Sequence, residues 1–388
     1  MNYAETEEQR LIRDAVREIA SDYDWSYWRE RIQTNEFPNA YWDDLASDGW
    51  LGVTIPEEYG GAGLGMLEMA IVIEELSRGG GQDGILFVLT PVFGGLGFQR
   101  HGTAEQKEQF LPAIANGKSR FCIGLTEAGA GTNTLTMDTS AEKDDQEFVI
   151  RGQKTFISGV ENADYMLLAA RTTDYDPSTP MNGITVFIVD DPGGRENVSV
   201  TPLDLEIPWF ETQYQVDVDG VRVHEDDVLG RVDEGMAVLW DTINAERITA
   251  AASAVGGGLR AVDLAVEYAN DRRVFDQPIG AHQAIQHPLS DSYADLLCAR
   301  EIMYKAAWKW DQDDDASLEA NVAKLRASEA ATEAADRAIQ THGGNGFSSE
   351  YEVFTLWENA RVTQTVPVTN EMVRNFVAEH HLGLPRSY

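Results

Sequence analysis

The spacing of apolar residues divides the chain into three stretches with different patterns. In the first stretch, from Glu7 to about Lys118, apolar residues recur at intervals of three to four, as at Leu11, Ala15 and Ile19. This interval matches the helical repeat of about 3.6 residues, so the stretch is predicted to form amphipathic helices.

The second stretch, between Phe121 and about Val232, has a period of two instead. Short runs rich in β-branched residues are separated by turn signals such as Asp144-Asp145 and the Asp-Pro-Gly-Gly segment at 191–194. Alternation of this kind predicts strands, and the frequent turns favour antiparallel pairing. The clearest predicted strands contain residues 148–150, 166–168, 184–189 and 214–218.

Helical periodicity returns from Glu234 onwards, with Ile248, Ala252 and Val255 on one face of a long segment. A glycine triplet at 256–258 lies inside this segment, although each glycine costs up to about 1 kcal/mol relative to alanine in a helix. Two interpretations remain open: another segment approaches the helix backbone there, or the helix breaks. Short loops and wide apolar stripes further on are typical of an antiparallel bundle that can extend across a subunit interface.

These patterns predict a multi-domain α+β fold. We expect an N-terminal helical domain at residues 1–120, a middle antiparallel β domain at 121–232 and a C-terminal helical bundle at 233–388. A chain of 388 residues is too long for one ordinary domain, which agrees with this division.

The charge of the chain narrows the classes of partner. Sixty-five acidic residues against 30 basic ones give a net charge of -35, which repels nucleic acids and anionic membrane surfaces. No apolar run is long enough for a membrane span, and residues 1–5 lack the features of a signal peptide, so a cytoplasmic protein without membrane insertion is predicted. The spread of acidic residues, including 311–315 in a predicted solvated loop, indicates adaptation to high salt; the alternative is a docking surface for a basic protein.

Several common types of site are missing from the sequence. The two cysteines, Cys122 and Cys298, have no CxxC neighbour and are expected to be buried, while the seven histidines are scattered, so no metal site is predicted. The sequence also contains no GxGxxG motif after a strand, no Walker A loop and no Gly-x-Ser-x-Gly motif.

One glycine-rich segment is a candidate ligand-binding loop. The segment from Leu125 to Thr132 contains small residues that allow a flat ligand to approach exposed backbone N–H groups, although an ordinary turn has the same composition. A second segment, from Lys154 to Gly159, offers an aromatic ring, a hydroxyl and a glycine at a predicted strand end.

Five motifs follow one another along the chain. They are Pro56-Glu57-Glu58-Tyr59-Gly60-Gly61, Gly102-Thr103-Ala104-Glu105-Gln106-Lys107, Thr126-Glu127 through Thr132, Asp271-Arg272-Arg273-Val274-Phe275 with Gln283-Ala284-Ile285-Gln286, and Gln340-Thr341-His342-Gly343-Gly344-Asn345-Gly346-Phe347. Together, and in this order, they resemble the motifs of the acyl-CoA dehydrogenase family of flavoproteins over nearly the whole chain.

The resemblance implies an FAD between the β domain and the C-terminal helices, in a homotetramer built as a dimer of dimers. The isoalloxazine ring would contact Leu125, Thr126, Gly131, Thr132, Phe156 and Ser158. The rest of the cofactor would contact Arg272, Phe275, Gln283, Gln340, Gly343, Gly344 and Thr369, some of them from a neighbouring subunit. Arg272 offers a fixed cation for the pyrophosphate, with a surface ion pair as the alternative. Asp276 departs from the pattern, because the family has glycine there.

The resemblance also raises the question of the catalytic base. Many members have a glutamate in a Tyr-Glu-Gly-Thr-Ser loop, but residues 366–370 read Val-Pro-Val-Thr-Asn here. Pro367 therefore stands in place of the glutamate, and it offers neither a carboxylate nor a backbone N–H. Other members take the base from the helix that carries a substrate-facing arginine, which corresponds to Glu246 and Arg247. We therefore expect Glu246 to be the base and Arg247 and Thr132 to bind substrate; an exposed glutamate and a surface cation are the alternatives.

Three functional hypotheses follow from the resemblance. The first is an FAD-dependent acyl-CoA dehydrogenase that forms a 2,3-enoyl-CoA and passes electrons to an electron-transfer flavoprotein. The second, kept because of Pro367, is a flavin oxidase or monooxygenase with the same fold. The third is a non-catalytic subunit of a hetero-oligomer.

Overall fold

A computed structural model describes residues 5–81, 83–207 and 209–387. Helices dominate both ends of the chain and strands its middle. The helices are α1 (Glu7–Ser21), α2 (Trp25–Thr34), α3 (Asn39–Ser47), α4 (Met66–Arg78), α5 (Asp83–Phe87), α6 (Gly97–His101), α7 (Ala104–Ala115), α8 (Gly235–Asp271), α9 (Gln283–Asp311), α10 (Ser317–His342), α11 (Val353–Val362) and α12 (Asn370–His380). The strands are β1 (Phe121–Gly124), β2 (Ser140–Asp144), β3 (Glu147–Ser158), β4 (Tyr165–Arg171), β5 (Ile184–Asp190), β6 (Val198–Pro202), β7 (Gln213–His224), β8 (Val228–Leu229), β9 (Arg273–Val274) and β10 (Gln277–Pro278).

The chain divides into two compact units. One contains the residues up to Glu30, Gly65–Ile85 and the residues from Asn244 onwards; the other contains Arg31–Leu64 and Leu86–Ile243. We call them the helical unit and the sheet unit. The boundaries predicted at residues 120 and 232 stay predictions.

The sheet unit is built on one sheet with strand order β6-β7-β3-β2-β4-β5-β8, and β1 pairs with β4. All pairs are antiparallel except β1 with β4 and the single β2–β4 contact, which are parallel. Alternate residues of β4 face two different cores: Leu167 packs with Phe110 and Phe121, whereas Leu168 packs with Phe148. The predicted mostly antiparallel sheet is confirmed, and all four of the clearest predicted strands are present.

The helical unit is a bundle in which α10 packs against α9, α11 and α12, while α4 packs against α1 and α9. The glycine triplet lies inside the continuous helix α8, so the helix does not break there. A Cβ atom on Gly256 would lie 2.3 Å from the carbonyl oxygen of Glu74, and one on Gly258 would lie 3.1 Å from the Cα atom of Ala331. The interpretation that other segments approach this backbone is confirmed.

Helix α1 is present as predicted, and its buried residues include Ile12, Val16 and Ile19, whereas Leu11 is 65% exposed. Cys122 is buried as expected, whereas Cys298 is exposed.

The part of the chain that the structure describes contains no helix with both the length and the apolar character needed to cross a membrane. Within the same residues, no group of three or more His, Cys, Asp or Glu side chains is arranged to hold a metal ion.

Candidate active site

The glycine-rich segment and strand β3 are joined by hydrogen bonds in the sheet unit. The backbone N–H of Thr155 donates to the carbonyl oxygen of Thr126 at 2.9 Å. The Lys154 ammonium donates to the carbonyl oxygen of Leu125 at 3.1 Å and to Oε1 of Glu127 at 2.7 Å. Glu127 in turn accepts from the backbone N–H groups of Asp138 and Thr139. The segment is therefore held from both sides.

The ion pair between Lys154 and Glu127 is buried, with 0% and 7% of the two residues exposed. Burial lowers the pKa of Lys154 to about 8, while the charge and hydrogen bond of Glu127 oppose this shift. Burial acts to raise the pKa of Glu127, but Lys154 and the backbone hydrogen bonds outweigh it and lower the pKa overall. Removing either partner would leave an uncompensated charge in the core.

Phe156 lies in a β-bulge of β3, where the register against β7 shifts between Lys154 and Ile157. Its φ of 57° is in the left-handed region, which bulky residues rarely adopt, and its side chain is 55% exposed. The bulge thus turns an aromatic ring outward from a strand whose neighbouring residues are buried. Such local strain is typical of functional sites.

Ser158 follows in the same strand and is 9% exposed. Its hydroxyl oxygen accepts a hydrogen bond from Nε2 of Gln213 at 2.6 Å, across the pair that joins β3 to β7. Because that oxygen is engaged as an acceptor, the hydroxyl proton is free to point elsewhere. Gln213 therefore fixes the orientation of Ser158, a contact that the sequence analysis missed.

The glycine-rich segment has room for a ligand beside it. Leu125 and Thr126 are half-buried, while Gly131 and Thr132 are exposed. No heavy atom lies within 4 Å of the Cβ position of Gly131. An exposed ring at Phe156, an oriented hydroxyl at Ser158 and open backbone at Gly131 fit a flat, hydrogen-bonding group such as isoalloxazine.

In the helical unit, Glu246 and Arg247 lie on α8. Glu246 is partly buried, and no hydrogen bond or ion pair of its carboxylate is found within the described residues. Arg247 donates from Nη1 to Oδ1 of Asn244 at 3.1 Å, and Asn244 donates to Oγ of Ser317 on α10 at 3.2 Å. The Nε of Arg247 is buried without a partner in the described part of the chain. An orphaned buried donor of this kind is consistent with a site for an anionic or polar ligand.

Burial changes the proton affinity of both residues. It raises the pKa of Glu246 to about 7, and the positive charges of Arg247 and Lys324 oppose this shift. Burial lowers the pKa of Arg247, with Glu246 opposing. A carboxylate with a pKa near neutrality is a stronger base than an exposed glutamate and is still ionised in about half the molecules at neutral pH.

The 366–370 segment precedes α12 in the helical unit. Thr369 is the N-cap of α12, and its hydroxyl accepts from the backbone N–H of Met372 at 3.4 Å. The buried Lys324, 1% exposed, donates to the carbonyl oxygen of Val368 at 2.6 Å and to Oδ1 of Asn370 at 3.0 Å. No pattern in the sequence indicates this role of Lys324, because its partners lie far from it along the chain.

Arg272 and Phe275 lie in and beside a small hairpin. Strands β9 and β10 pair Val274 with Gln277, so Phe275 and Asp276 form a two-residue turn, with φ values of 53° and 64°. Turns of this type require positive φ at both positions, and aspartate tolerates that conformation better than most residues. Asp276 therefore preserves the turn. Phe275 is 87% exposed, and Arg272 is exposed with no ion pair in the described part of the chain.

The glycine turn at the end of α10 lies close to this hairpin. The His342 ring stacks on Tyr268 at 4.2 Å, one turn before Arg272, and Nδ2 of Asn345 donates to the Tyr268 hydroxyl at 3.0 Å. Gly343 has φ 60° and ψ -131°, a combination essentially confined to glycine. The Cβ positions of Gly343 and Gly344 have no heavy atom within 4 Å, and Gln340 and Gln283 are exposed. The residues fit a pyrophosphate group, which needs a cation and close backbone approach.

Comparison with known families assigns almost the whole chain. Residues 6–118 match the acyl-CoA dehydrogenase N-terminal domain, residues 122–212 the middle domain and residues 233–382 the C-terminal domain.

Individual relatives agree with this assignment. The acyl-CoA dehydrogenase FadE12 of Mycobacterium tuberculosis is 38% identical over 389 residues, which cover 100% of this chain and 99% of the relative. Butyryl-CoA dehydrogenase from Megasphaera elsdenii has the same fold, with a TM-score of 0.90, 29% identity and coverage of 96% and 98% of the two chains. The FAD complex of PigA matches with a TM-score of 0.91, 25% identity and coverage of 99% and 100%. The chain belongs to the acyl-CoA dehydrogenase family: it has the three-domain fold of that family and is an oxidoreductase that acts on CH–CH bonds with FAD as its cofactor.

Proposed function

We propose that the protein desaturates an acyl-CoA thioester to the 2,3-enoyl-CoA, with Glu246 as the catalytic base. The observation that supports this most directly is the Glu246 carboxylate: partly buried, without a hydrogen bond in the described residues, and with its pKa raised by burial to about 7. An exposed glutamate would have no reason for such a shift, and the family resemblance assigns the base to this position of α8, next to Arg247.

The reaction needs two hydrogens to leave neighbouring carbons. Glu246 takes the α proton onto a carboxylate oxygen, and the electron pair of that C–H bond becomes part of the new double bond. Bound FAD supplies the acceptor for the hydride that leaves the β carbon. Arg247 binds the pantetheine or phosphate part of CoA, and Thr132 contacts the substrate. Pro367 contributes neither a carboxylate nor a backbone N–H.

Two groups of residues bind the cofactor in this proposal. In the sheet unit, Leu125, Thr126, Gly131, Thr132, Phe156 and Ser158 contact the isoalloxazine. In the helical unit, the remainder of the FAD contacts Arg272, Phe275, Gln283, Gln340, Gly343, Gly344 and Thr369. Some of these residues belong to a neighbouring subunit. Phe275 is 87% exposed, so its ring is accessible to the cofactor or to a neighbouring subunit.

The electron acceptor in this proposal is an electron-transfer flavoprotein, and the assembly is a homotetramer; a hetero-oligomer is the alternative. Light scattering gives the mass of the purified assembly, and denaturing electrophoresis shows whether it contains one kind of chain or two. The second functional candidate is a flavin oxidase of the same family, which only the replacement at Pro367 favours. Peroxide formed in step with acyl-CoA oxidation would identify it.

Glu246→Gln tests the base. We expect the variant to stay yellow but to lose anaerobic flavin bleaching by acyl-CoA by at least about 100-fold, because the amide cannot accept the α proton. In the parent protein, the bleaching rate should rise with pH through about 7, since burial raises the pKa of Glu246 to about 7 and only the ionised form is a base.

Glu267→Gln is the matched control, because Glu267 lies on the same helix with an exposed side chain. It should bleach at the parental rate. If Glu246→Gln bleaches as fast as the parent, Glu246 is not the base. A protein that is colourless and takes up no FAD would contradict the whole proposal.

A further inference from the structure

A buried lysine of the helical unit, Lys324 on α10, binds the loop that precedes α12, in which Pro367 replaces the family's glutamate. Lys324 is 1% exposed, and its ammonium donates to the carbonyl oxygen of Val368 and to Oδ1 of Asn370. Asn370 is itself 2% exposed and exchanges hydrogen bonds with Ser328. The loop before α12 is thus tied to α10 by one cation and one amide.

The face of α10 that carries Lys324 is the one that packs against α8. Ser317 accepts a hydrogen bond from Asn244, and Ala331 lies under Gly258, where a Cβ atom would come within 3.1 Å of its Cα. Ser317, Lys324 and Ala331 are spaced by seven residues, so they share one side of the helix.

The two contacts also fix the register of the helices. The number of residues between Asn244 and Gly258 equals the number between Ser317 and Ala331. Helices α8 and α10 therefore run parallel here. Lys324 then lies at the level of Ala251 on α8. That level is about one helical turn, roughly 6 Å, beyond Arg247. Helical side chains lean towards the N-terminus, which brings the Lys324 ammonium back towards Arg247 and Glu246.

We propose that Lys324 is a positioning residue that holds the 366–369 loop against α10 and supplies a positive charge to the Glu246 carboxylate. This inference rests on the proposed function, because the charge matters for catalysis only if Glu246 is the base. In this chain the 366–369 loop therefore binds the Lys324 ammonium, whereas the carboxylate that acts as the base is that of Glu246 on α8.

The charged groups around the pair agree with this placement. Lys324 is among the groups that lower the pKa of Glu246, together with Arg247. Burial and the charge of Arg247 lower the pKa of Lys324 to about 8, and Glu246 and Glu371 oppose this. At about pH 7 Lys324 is therefore mostly charged while Glu246 is half ionised. The positive charge of Lys324 favours the ionised, basic form of Glu246.

Lys324→Gln tests the charge separately from the hydrogen bonds. The glutamine amide keeps a hydrogen-bond donor, on a side chain one atom shorter, and carries no charge. The acidic limb of the pH profile of flavin bleaching should move upward by roughly half a pH unit or more, as expected from loss of a nearby unit charge. Lys305→Gln, which removes an ammonium that pairs with Glu319, is the control and should leave the profile unchanged. A profile for Lys324→Gln that superimposes on the parental one would overturn the role in charge.

Lys324→Met tests the anchoring and needs no cofactor chemistry. Backbone amides at 366–372 should exchange hydrogen for deuterium at least about tenfold faster than in the parent, whereas Lys324→Gln, which keeps a donor, should increase the rate less than Lys324→Met does. Unchanged exchange in Lys324→Met would overturn the anchoring role. If Glu246→Gln still bleaches normally, the proposed function fails instead; if it is inactive and only the Lys324 results are negative, this inference alone fails.

Discussion

At the scale of single residues, Glu211 shows how burial can determine the charge state of a carboxyl group in the sheet unit. It is 5% exposed, and its Oε2 has no hydrogen-bond partner in the described residues. Burial raises the pKa of Glu211 to about 8; the negative charge of Glu161 adds to the shift and Arg120 opposes it. The folded protein therefore keeps this carboxyl protonated at neutral pH.

Glu211→Gln should stabilise the protein at alkaline pH. Between about pH 4.5, the ordinary pKa, and about pH 8, the folded state holds a proton that the unfolded state has lost, so stability falls as pH rises through this window. Glutamine has no such proton to lose. We expect a free energy of unfolding higher than the parent's by about 1–3 kcal/mol at about pH 8, and no gain near pH 4.5.

Thermal unfolding across a pH series measures this effect. Glu142→Gln, which also removes one carboxylate but at an exposed position of β2, is the control for net charge. Equal midpoints for Glu211→Gln and the parent at every pH would show that Glu211 is not a buried neutral acid.

At the scale of elements, α8 contains two neighbouring glycines, Gly256 and Gly257, and a Cβ atom would clash with other atoms only at the first. A Cβ on Gly256 would lie 2.3 Å from a backbone oxygen of α4 and 3.0 Å from a backbone nitrogen, neither of which can rotate away. A Cβ on Gly257 would have nothing within 4 Å. The close approach of α4 to α8 therefore depends on Gly256 alone of this pair.

Alanine substitutions at these two positions form a matched experiment. Gly257→Ala should raise the free energy of unfolding by up to about 1 kcal/mol, because alanine loses less backbone entropy in a helix. Gly256→Ala gains the same term but forces α4 and α8 apart, so a net loss of about 1–3 kcal/mol is expected. Denaturant unfolding of both variants measures the difference, and shifts of the same sign would contradict the packing described here.

The same elements show what the sequence can predict about the fold. Periodicity depends on local spacing, so the strands β3, β4, β5 and β7 and the helical character of α1 and α8 were predictable. The buried face of α1 was not, because Leu11 and Ile12 are neighbours and only contact with α4 decides between them.

The candidate site shows the same difference between local patterns in the sequence and contacts between residues that lie far apart along the chain. The family resemblance indicated the segments that contain Phe156, Ser158 and Gly343. The outward turn of Phe156 depends on a register shift between β3 and β7, and the anchoring by Lys324 joins residues 44 positions apart. Such contacts are properties of the folded chain and leave no pattern in a single sequence. The roles of these residues in binding and catalysis stay predictions.

At the scale of the whole molecule, net charge is the dominant feature. With 65 acidic and 30 basic residues, the folded chain confines a net charge of -35 in a compact volume, whereas the unfolded chain spreads it. Exposed ion pairs such as Arg222 with Asp144 and Glu147 offset little of this repulsion, since water and salt screen them and ordering the side chains costs entropy. Repulsion should therefore cost the folded state more than the unfolded one.

Salt should stabilise the protein through screening. The Debye length falls from about 10 Å at 0.1 M salt to about 3 Å at 1 M, so the thermal midpoint should rise by several degrees over this range of KCl concentration. Asp313→Asn/Asp314→Asn removes two exposed charges beyond α9, where asparagine also tolerates the positive φ of Asp313. That variant should gain stability at low salt and converge with the parent at high salt, because screening removes the repulsion that the substitutions relieve. A midpoint that stays constant or falls with KCl, in the parent and the variant alike, would show that self-repulsion does not limit the stability of this fold.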